Sequence, residues 1–350
     1  MYCLTPENKI ALLMHGAVGS GNGKMGYGLL RYSAAPVVVV IDKAHAGQSL
    51  RALTGIPTDV PIVASVSEAL AFGPDILVPA IAPAGGKLPP EWTADVKECL
   101  SAGLSIANGL HTAMSRDPEL SRLVTRPKQF IWDIRQEPDN LYTASGLARE
   151  TSARRVLFVG TDMGNGKMTA ALELTRALSA TGLRAKFLAT GQIGIAIAGE
   201  GVPLDAVRVD YAAGSIEQMV VRSGSDHDIL LIEGQGSLFH PASTATLSLL
   251  RGAMPTHLIL VHEIGKKGPS SYPWVQFPPL PDVIRLYEMV ASAAGALPAA
   301  KVAAIALNTA YQSDAEAARV VEQVQAETGL PVTDVIRFGT GPLVKAVRPF

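Results

Sequence analysis

The chain has 350 residues, 48% hydrophobic and 17% charged, a core-rich balance that excludes a mainly disordered protein. Its 30 Lys and Arg against 31 Asp and Glu leave a formal net charge of -1, so no basic excess points to nucleic acid or an anionic membrane surface. Two cysteines, Cys3 and Cys99, exclude a disulfide scaffold and leave a cysteine-built zinc site without enough ligands.

Short apolar runs alternate with longer helical patterns. In the first half, Ile10–His15, Val37–Ile41, Ile62–Ala64, Ile76–Pro79 and Ser105–Ala107 predict strands. In the second half, Arg155–Val159, Ala185–Ala189, Ile229–Ile232, His257–His262, Val302–Leu307 and Val332–Ile336 do the same. Runs of this kind, bounded by Gly or Pro and separated by helices, predict βαβ units and parallel sheets buried on both faces: an α/β fold. Helical spacing of Met168, Ala171, Leu172, Leu174 and Leu178 predicts a helix after Lys167, with Gly182 as its stop. Ser313 and Glu316 form a capping box for a helix running to about Thr328, with Gly329 beyond it.

The polar stretch Glu137–Ala153, with Pro138, breaks the strand rhythm and places a domain boundary: residues 1–145, then 146–350. No apolar run approaches the roughly 18 residues of a membrane span. Lys9 ahead of Ile10–Met14 imitates a secretory signal, but the apolar stretch is short and a Gly-rich loop follows, so a soluble cytoplasmic protein is expected. The Pro-rich Gly265–Pro281 is longer than the roughly 2–6 residues usual for a strand-to-helix turn, and reads as a substrate-covering loop or a surface connection. Gly21-Asn22-Gly23-Lys24-Met25 and Gly164-Asn165-Gly166-Lys167-Met168 are the same five letters, each after an apolar strand. They are either convergent turn chemistry or two anion-binding loops, one per domain.

The strongest chemical signal is Gly160-Thr161-Asp162-Met163-Gly164-Asn165-Gly166-Lys167-Met168-Thr169. A phosphate loop needs glycines that turn backbone N–H groups inward, a helix start that aims its dipole at the anion, and a lysine that reaches the outer phosphates. All three are present, and Gly160, Thr161, Asp162, Gly164, Asn165, Gly166, Lys167, Met168 and Thr169 form the candidate cofactor-binding set. Five residues instead of four separate Gly160 from Gly166, and Met168 stands where a Mg²⁺-holding Ser or Thr is usual; a hydroxyl follows one place later at Thr169. Metal-assisted triphosphate chemistry is therefore in doubt while phosphate binding is not.

Glu233 ends the apolar run Ile229–Ile232 and precedes Gly234-Gln235-Gly236-Ser237. In a phosphate-loop domain the neighbouring strand commonly delivers a carboxylate toward the metal or attacking group; Glu233 is that carboxylate or a capping acid. His240, just downstream, and His262, ending the next strand, are candidate general bases near neutral pH. His227 and His257 sit at the wrong ends of their strands. Thr190 and Gln192 follow a strand and could line the substrate crevice, and Asn308 could meet a base or ribose. In the first domain the Gly16–Lys24 loop follows the first strand and Asp42 ends the second, resembling the acid that takes ribose hydroxyls in a dinucleotide fold. Ala82–Lys87 and Asn108–His111 would face the same rim.

Together these residues resemble dethiobiotin synthetase and its deviant phosphate-loop relatives. More closely, the chain is identified as a member of a family labelled as a domain of unknown function, with an N-terminal Rossmann-like and a C-terminal P-loop NTPase-like domain, which includes D-glutamate N-acetyltransferase. The resemblance covers nearly the whole chain and includes Gly28–Tyr32, Ile81–Gly86, Gly109–His111, Gly166–Thr169, Gly199–Pro203 and Glu233–Ser237, continuing to His240-Pro241. It implies transfer of acetyl from acetyl-CoA to the amine of D-glutamate or a similar amino acid, with the phosphate loop holding the coenzyme phosphates. Under it, Glu233 or His240 would be the base, Gln235 and Ser237 would line the oxyanion site through the Gly234–Ser237 amides, and Lys266, Lys267 or Arg251 would meet the substrate carboxylates; no metal is assigned. The alternatives are a Mg-ATP-dependent ligase or carboxylase like dethiobiotin synthetase, with Asp162, Thr169 and Glu233 holding Mg²⁺, and a non-catalytic nucleotide-sensing protein. Expected partners are a small-molecule substrate and further copies of the chain in a homo-oligomer, with no nucleic acid and no membrane.

Overall fold

The computed structural model describes residues 2–83 and 85–348. Ala84, inside the expected Ala82–Lys87 loop, lies outside the described residues. The chain divides into two compact units, one reaching to Glu137 together with Gln192–Ala206, the other Pro138–Gly191 together with the residues from Val207 onward.

The first unit is built on strands β1 (Ile10–Leu13), β2 (Val37–Ile41), β3 (Ile62–Val63), β4 (Ile76–Pro79), β5 (Ser105–Asn108) and β6 (Ile131–Asp133). They pair in parallel in the order β3-β2-β1-β4-β5-β6, the Rossmann order. Every residue of β1 is buried, as the unbroken apolar run Ile10–Leu13 requires of a central strand covered on both faces. β6 is an addition to the expected strands. Its three residues, one of them an aspartate, are too few to show a period, and its place is secured by side-chain bonding. Asp133, 4% exposed, accepts from Asn108 Nδ2 (2.7 Å) and Met114 N (2.8 Å) on one oxygen and from Ser115 N (3.0 Å) on the other.

The loop after β1 does not repeat the loop its five letters echo. Gly21–Gly23 form one 3-10 turn whose cap is the Ser20 hydroxyl, Gly23 has an ordinary φ of -76°, and Lys24 is exposed. Asp42 is fully buried; it accepts from Gly16 N (2.9 Å) and Ala44 N (3.1 Å) and pairs with His45 Nδ1 (2.7 Å). The acid expected to reach ribose hydroxyls instead braces the glycine turn. The segment Gln192–Ala206, although it follows a strand of the second unit in sequence, belongs to the first. There Asp205 is ion-paired to Arg135, which also donates to Gly109 O at 2.7 Å.

The second unit contains strands β7 (Arg154–Gly160), β8 (Ala185–Leu188), β9 (Ile229–Ile232), β10 (His257–Glu263), β11 (Lys301–Asn308) and β12 (Val332–Thr333). They pair in parallel in the order β12-β11-β10-β7-β9-β8. The path from β7 runs first to one side and then to the other, so the end of β7 is the topological switch point where ligands enter sheets of this kind. The helix Lys167–Ala180 follows it and buries Ala170, Ala171, Leu174 and Leu178 at helical spacing. The helix Asp314–Thr328 starts at the expected cap, Ser313 Oγ accepting from Glu316 N at 3.3 Å, and stops at Gly329 with φ 68°. β12 is shorter than the expected Val332–Ile336 because Asp334 turns the chain: its carboxylate accepts from Thr309 N (3.0 Å), Ile336 N (2.9 Å) and Arg337 N (3.2 Å). Among the described residues no helix is long and apolar enough to cross a membrane.

Removing the Asp133 carboxylate leaves the Met114 and Ser115 amides without this acceptor and breaks the buried bond from Asn108 Nδ2, which keeps only Thr112 O. Asp133→Ala is expected to destabilise the chain by about 3 kcal/mol, read from the urea unfolding midpoint at unchanged slope.

Candidate active site

The site is built at the carboxyl ends of β7, β8, β9 and β10. β7 delivers Gly160, and the loop Thr161–Gly166 turns back into the helix that Lys167 opens. Two glycines make that turn, Gly164 at φ 67° and Gly166 at φ 110°, backbone that a side chain strains. Of the two identical pentapeptides only this one has the left-handed geometry of an anion-binding loop. Lys167 is 6% exposed, and its ammonium donates to Asp162 O (2.7 Å) and Asn165 Oδ1 (3.2 Å) of its own loop. Its stem lies over Gly234, where a β-carbon would come 2.8 Å from Lys167 Cδ and run into the Phe158 carbonyl oxygen. Glycine at 234 is thus the condition for a lysine passing between two strand ends.

The loop is tied down from three sides. β10 accepts at Val261 O from Thr161 N (3.2 Å) and Asn165 Nδ2 (2.6 Å). His262 Nδ1 meets Thr161 Oγ1 at 2.9 Å. Ser237 Oγ donates to Thr161 O at 2.8 Å. Tyr287, fully buried on the helix Leu280–Ala291, donates to Gly160 O (2.6 Å) and accepts from Leu238 N (3.2 Å). Sequence reasoning missed Tyr287. Nothing in its neighbourhood marks it, because its partners lie on β7 and after β9.

Glu233 directly follows β9 at 4% exposure, and one oxygen accepts from Thr190 N (2.9 Å) and Gly191 N (3.1 Å). Thr190 Oγ1 returns a bond to Glu233 O at 2.8 Å. Burial pushes the Glu233 carboxyl up to about 7, held back by those two amides and by the Lys167 charge. A carboxyl poised there exchanges a proton readily at neutral pH. Burial, aided by the Lys266 charge, pushes His262 down to about 4, so its ring is neutral at pH 7 and a weak base.

The remaining candidates divide. Asp162, 3% exposed, accepts from Met163 N (2.7 Å) and pairs with Lys266 Nζ (2.7 Å). Lys266, expected to meet a substrate carboxylate, is therefore already engaged by the loop, whereas Lys267 is exposed. Met168 and Thr169 are half-buried in the first turn of the helix. Asn308 accepts from Ala310 N (3.2 Å) and reaches Asn165 O at 3.5 Å, which places it against the phosphate loop. The Ser237 amide, expected as an oxyanion donor, is bonded to Ser243 Oγ at 3.0 Å; Gly236 beside it holds φ 68° against the same hydroxyl. The Gln235 side chain lies against Gly191, and the Gln235 backbone carbonyl accepts from Thr246 Oγ1 at 2.9 Å. His240, 8% exposed, accepts from Ala242 N at 3.2 Å and packs edge-on against Tyr272, a local turn contact that gives no support to its role as base. Gln192 follows Gly191 in sequence and opens a helix of the first unit.

Beside the loop is a cavity of about 520 Å³. Its polar wall carries one carboxylate, Glu327, beside His262, Lys266, Lys267 and two glutamines, and Phe277 and Val324 are among its apolar residues. Among the described residues no group of three or more His, Cys, Asp or Glu is placed to hold a metal ion.

His262 has a predictable acid signature. Its folded-state pKa of about 4 lies below the ordinary 6.5, so the neutral ring contributes stability in full above pH 6.5, and that contribution is lost as pH falls toward 4. His262→Gln should flatten the fall in melting temperature across that window, measured against the parent protein.

Comparison with known proteins agrees with this architecture. The family model described as "Domain of unknown function (DUF1611_C) P-loop domain" matches residues 142–344, and the one described as "Domain of unknown function (DUF1611_N) Rossmann-like domain" matches residues 43–137. A curated relative from Tritonibacter scottomollicae, named D-glutamate N-acetyltransferase, is 37% identical over 284 residues, 81% of this chain and 84% of its own. A second of the same name, from a Pseudoalteromonas species, is 33% identical over 282 residues, 80% of this chain and 83% of its own. The crystal structure of a DUF1611 family protein from Anabaena variabilis ATCC 29413 superposes with a TM-score of 0.95 at 54% identity, covering 97% of this chain and 99% of that one. With a Rossmann-ordered sheet, a phosphate loop at the second sheet's switch point and relatives that are acyltransferases, the chain is an acyltransferase and belongs to the DUF1611 family.

Proposed function

We propose that the protein acetylates the amine of D-glutamate, or of a closely similar amino acid, using acetyl-CoA. The observation that carries this reading is the pairing of an anion-binding loop with a buried carboxyl near neutrality: Lys167 runs over Gly234, and Glu233, beside it in the chain, titrates at about 7. The names of the two curated relatives supply the acyl acceptor.

Coenzyme A carries a pyrophosphate, which the left-handed glycines at 164 and 166, the helix start at Lys167 and the Lys167 ammonium suit without any hydrolysis. Acyl transfer from a thioester forms one C–N bond and breaks one C–S bond, and the incoming ammonium group must first lose a proton. Glu233 is the group matched to that task, since a general base works best with a pKa near the operating pH. His262 is less suited, because a ring that protonates at about 4 takes a proton weakly. Lys267, exposed and lining the cavity, is suited to meet a substrate carboxylate, whereas Arg251 donates to Val290 O at 3.0 Å and does not line it.

Mixing the protein with acetyl-CoA and D-glutamate and following free thiol tests the reading; release with D-glutamate and not L-glutamate is expected, and no release with folded protein overturns it. The rate should rise as pH passes through about 7 and Glu233 ionises. Glu233→Gln should lower turnover by about 100-fold or more and remove that rise. It should not lower the melting temperature at pH 8. A carboxyl raised from 4.5 to about 7 contributes stability below pH 4.5 that is lost as pH rises through 7, a cost of about 3 kcal/mol in the ionised state that glutamine does not carry.

A further inference from the structure

A phosphate loop with a buried aspartate in it has an electrostatic problem. Asp162 is 3% exposed and one residue from the start of the turn that should receive an anion. Left ionised and alone, it would repel the ligand and carry an uncompensated buried charge. A divalent cation is the common remedy, held by the loop hydroxyl and a nearby carboxylate. Here the residue after Lys167 is Met168, which offers no hydroxyl.

A side chain stands in the corresponding electrostatic role. β10 ends at Glu263, Gly265 turns the chain at φ 87°, and Lys266 comes back to place its ammonium 2.7 Å from Asp162 Oδ2. The Lys266 side chain is 21% exposed and Asp162 only 5%, so the pair is screened far less than a surface ion pair. The other Asp162 oxygen is held by Met163 N at 2.7 Å, so the carboxylate cannot turn away. Lys266 also lines the 520 Å³ cavity, and an ammonium has three donors, so it can hold Asp162 with one and face a ligand oxygen with another.

We propose that Lys266 is a tethered cation that replaces the divalent metal of ordinary phosphate loops, so that this site binds a pyrophosphate group without Mg²⁺. It neutralises Asp162 and adds its positive charge to that of the loop's own lysine. Lys266 is thereby a binding residue for the phosphate end of the ligand and not for the acyl acceptor. The inference rests on the proposed use of the loop for a coenzyme's phosphates, but the probe tests the loop by itself.

Inorganic pyrophosphate is titrated calorimetrically into the full chain, once in EDTA and once in MgCl₂. Equal affinity in the two buffers is expected. Lys266→Met should weaken binding in EDTA by about tenfold or more, with Mg²⁺ restoring part of it through the freed Asp162, and Lys266→Arg should stay near the parent value. Binding by the parent protein only with Mg²⁺, no pyrophosphate binding in either buffer, or a Lys266→Met variant that binds as tightly as the parent in EDTA overturns the proposal. The comparison of buffers needs no variant, so it stands even if a substitution impairs folding. Metal-free pyrophosphate binding without thiol release from acetyl-CoA would overturn the acetyl-transfer reading and leave this one intact.

Discussion

The burial of Lys167 at the switch point of the second sheet is the constraint around which this site is arranged. A lysine 6% exposed needs acceptors, and the loop supplies Asp162 O and Asn165 Oδ1. Its stem needs a passage, and Gly234 supplies it. Its charge needs a counterpart that does not abolish anion binding, and a carboxyl at 233 that is only half ionised at neutral pH meets that need. Each requirement selects a residue type at one strand end, so the carboxyl edge of the sheet is dense in chemistry while the strand centres, such as Val156–Val159 and Leu258–Val261, are apolar.

Stability and function meet in the same bonds. Tyr287, Ser237, His262 and Val261 hold the loop by hydrogen bonds to its backbone or side chains, so its turned conformation is fixed by protein partners. Preorganisation of that kind places the cost of ordering the loop in folding and not in binding. Desolvation also sets the proton affinities: Glu233 goes up and His262 down for the one reason that burial disfavours charge, which leaves a carboxyl near neutrality and, two strands away, a ring that stays neutral there.

Both sheets show what local pattern can carry. Eleven strands announce themselves as apolar runs, and parallel α/β architecture follows because such runs must be covered on both faces. β6 does not, because Ile131–Asp133 is too short to show a pattern and its Asp133 is bonded to Asn108 of β5 and to the amides of Met114 and Ser115. The phosphate loop was legible because glycines, lysine and helix start are neighbours in sequence. Its relation to Lys266 was not, and the two lysines looked alike on the page, although one is bonded to Asp162 and the other stays exposed.

The repeated Gly-Asn-Gly-Lys-Met pentapeptide marks the division most clearly. Sequence alone determined the α/β class, the phosphate-loop lysine, the acidic strand end at Glu233 and the capped helix after Ser313, since each depends on residues a few positions apart. Tertiary structure decided which copy has left-handed glycines and a buried lysine, that Asp42 braces its own loop, that Ser237's amide is occupied, and where Glu233 titrates. Those outcomes rest on partners distant in the chain, such as Tyr287 to Gly160 across 127 residues and His262 to Thr161 across 101. Hydrogen-bond geometry and desolvation are properties of the assembled neighbourhood, and identical letters acquire different chemistry when the fold gives them different neighbours.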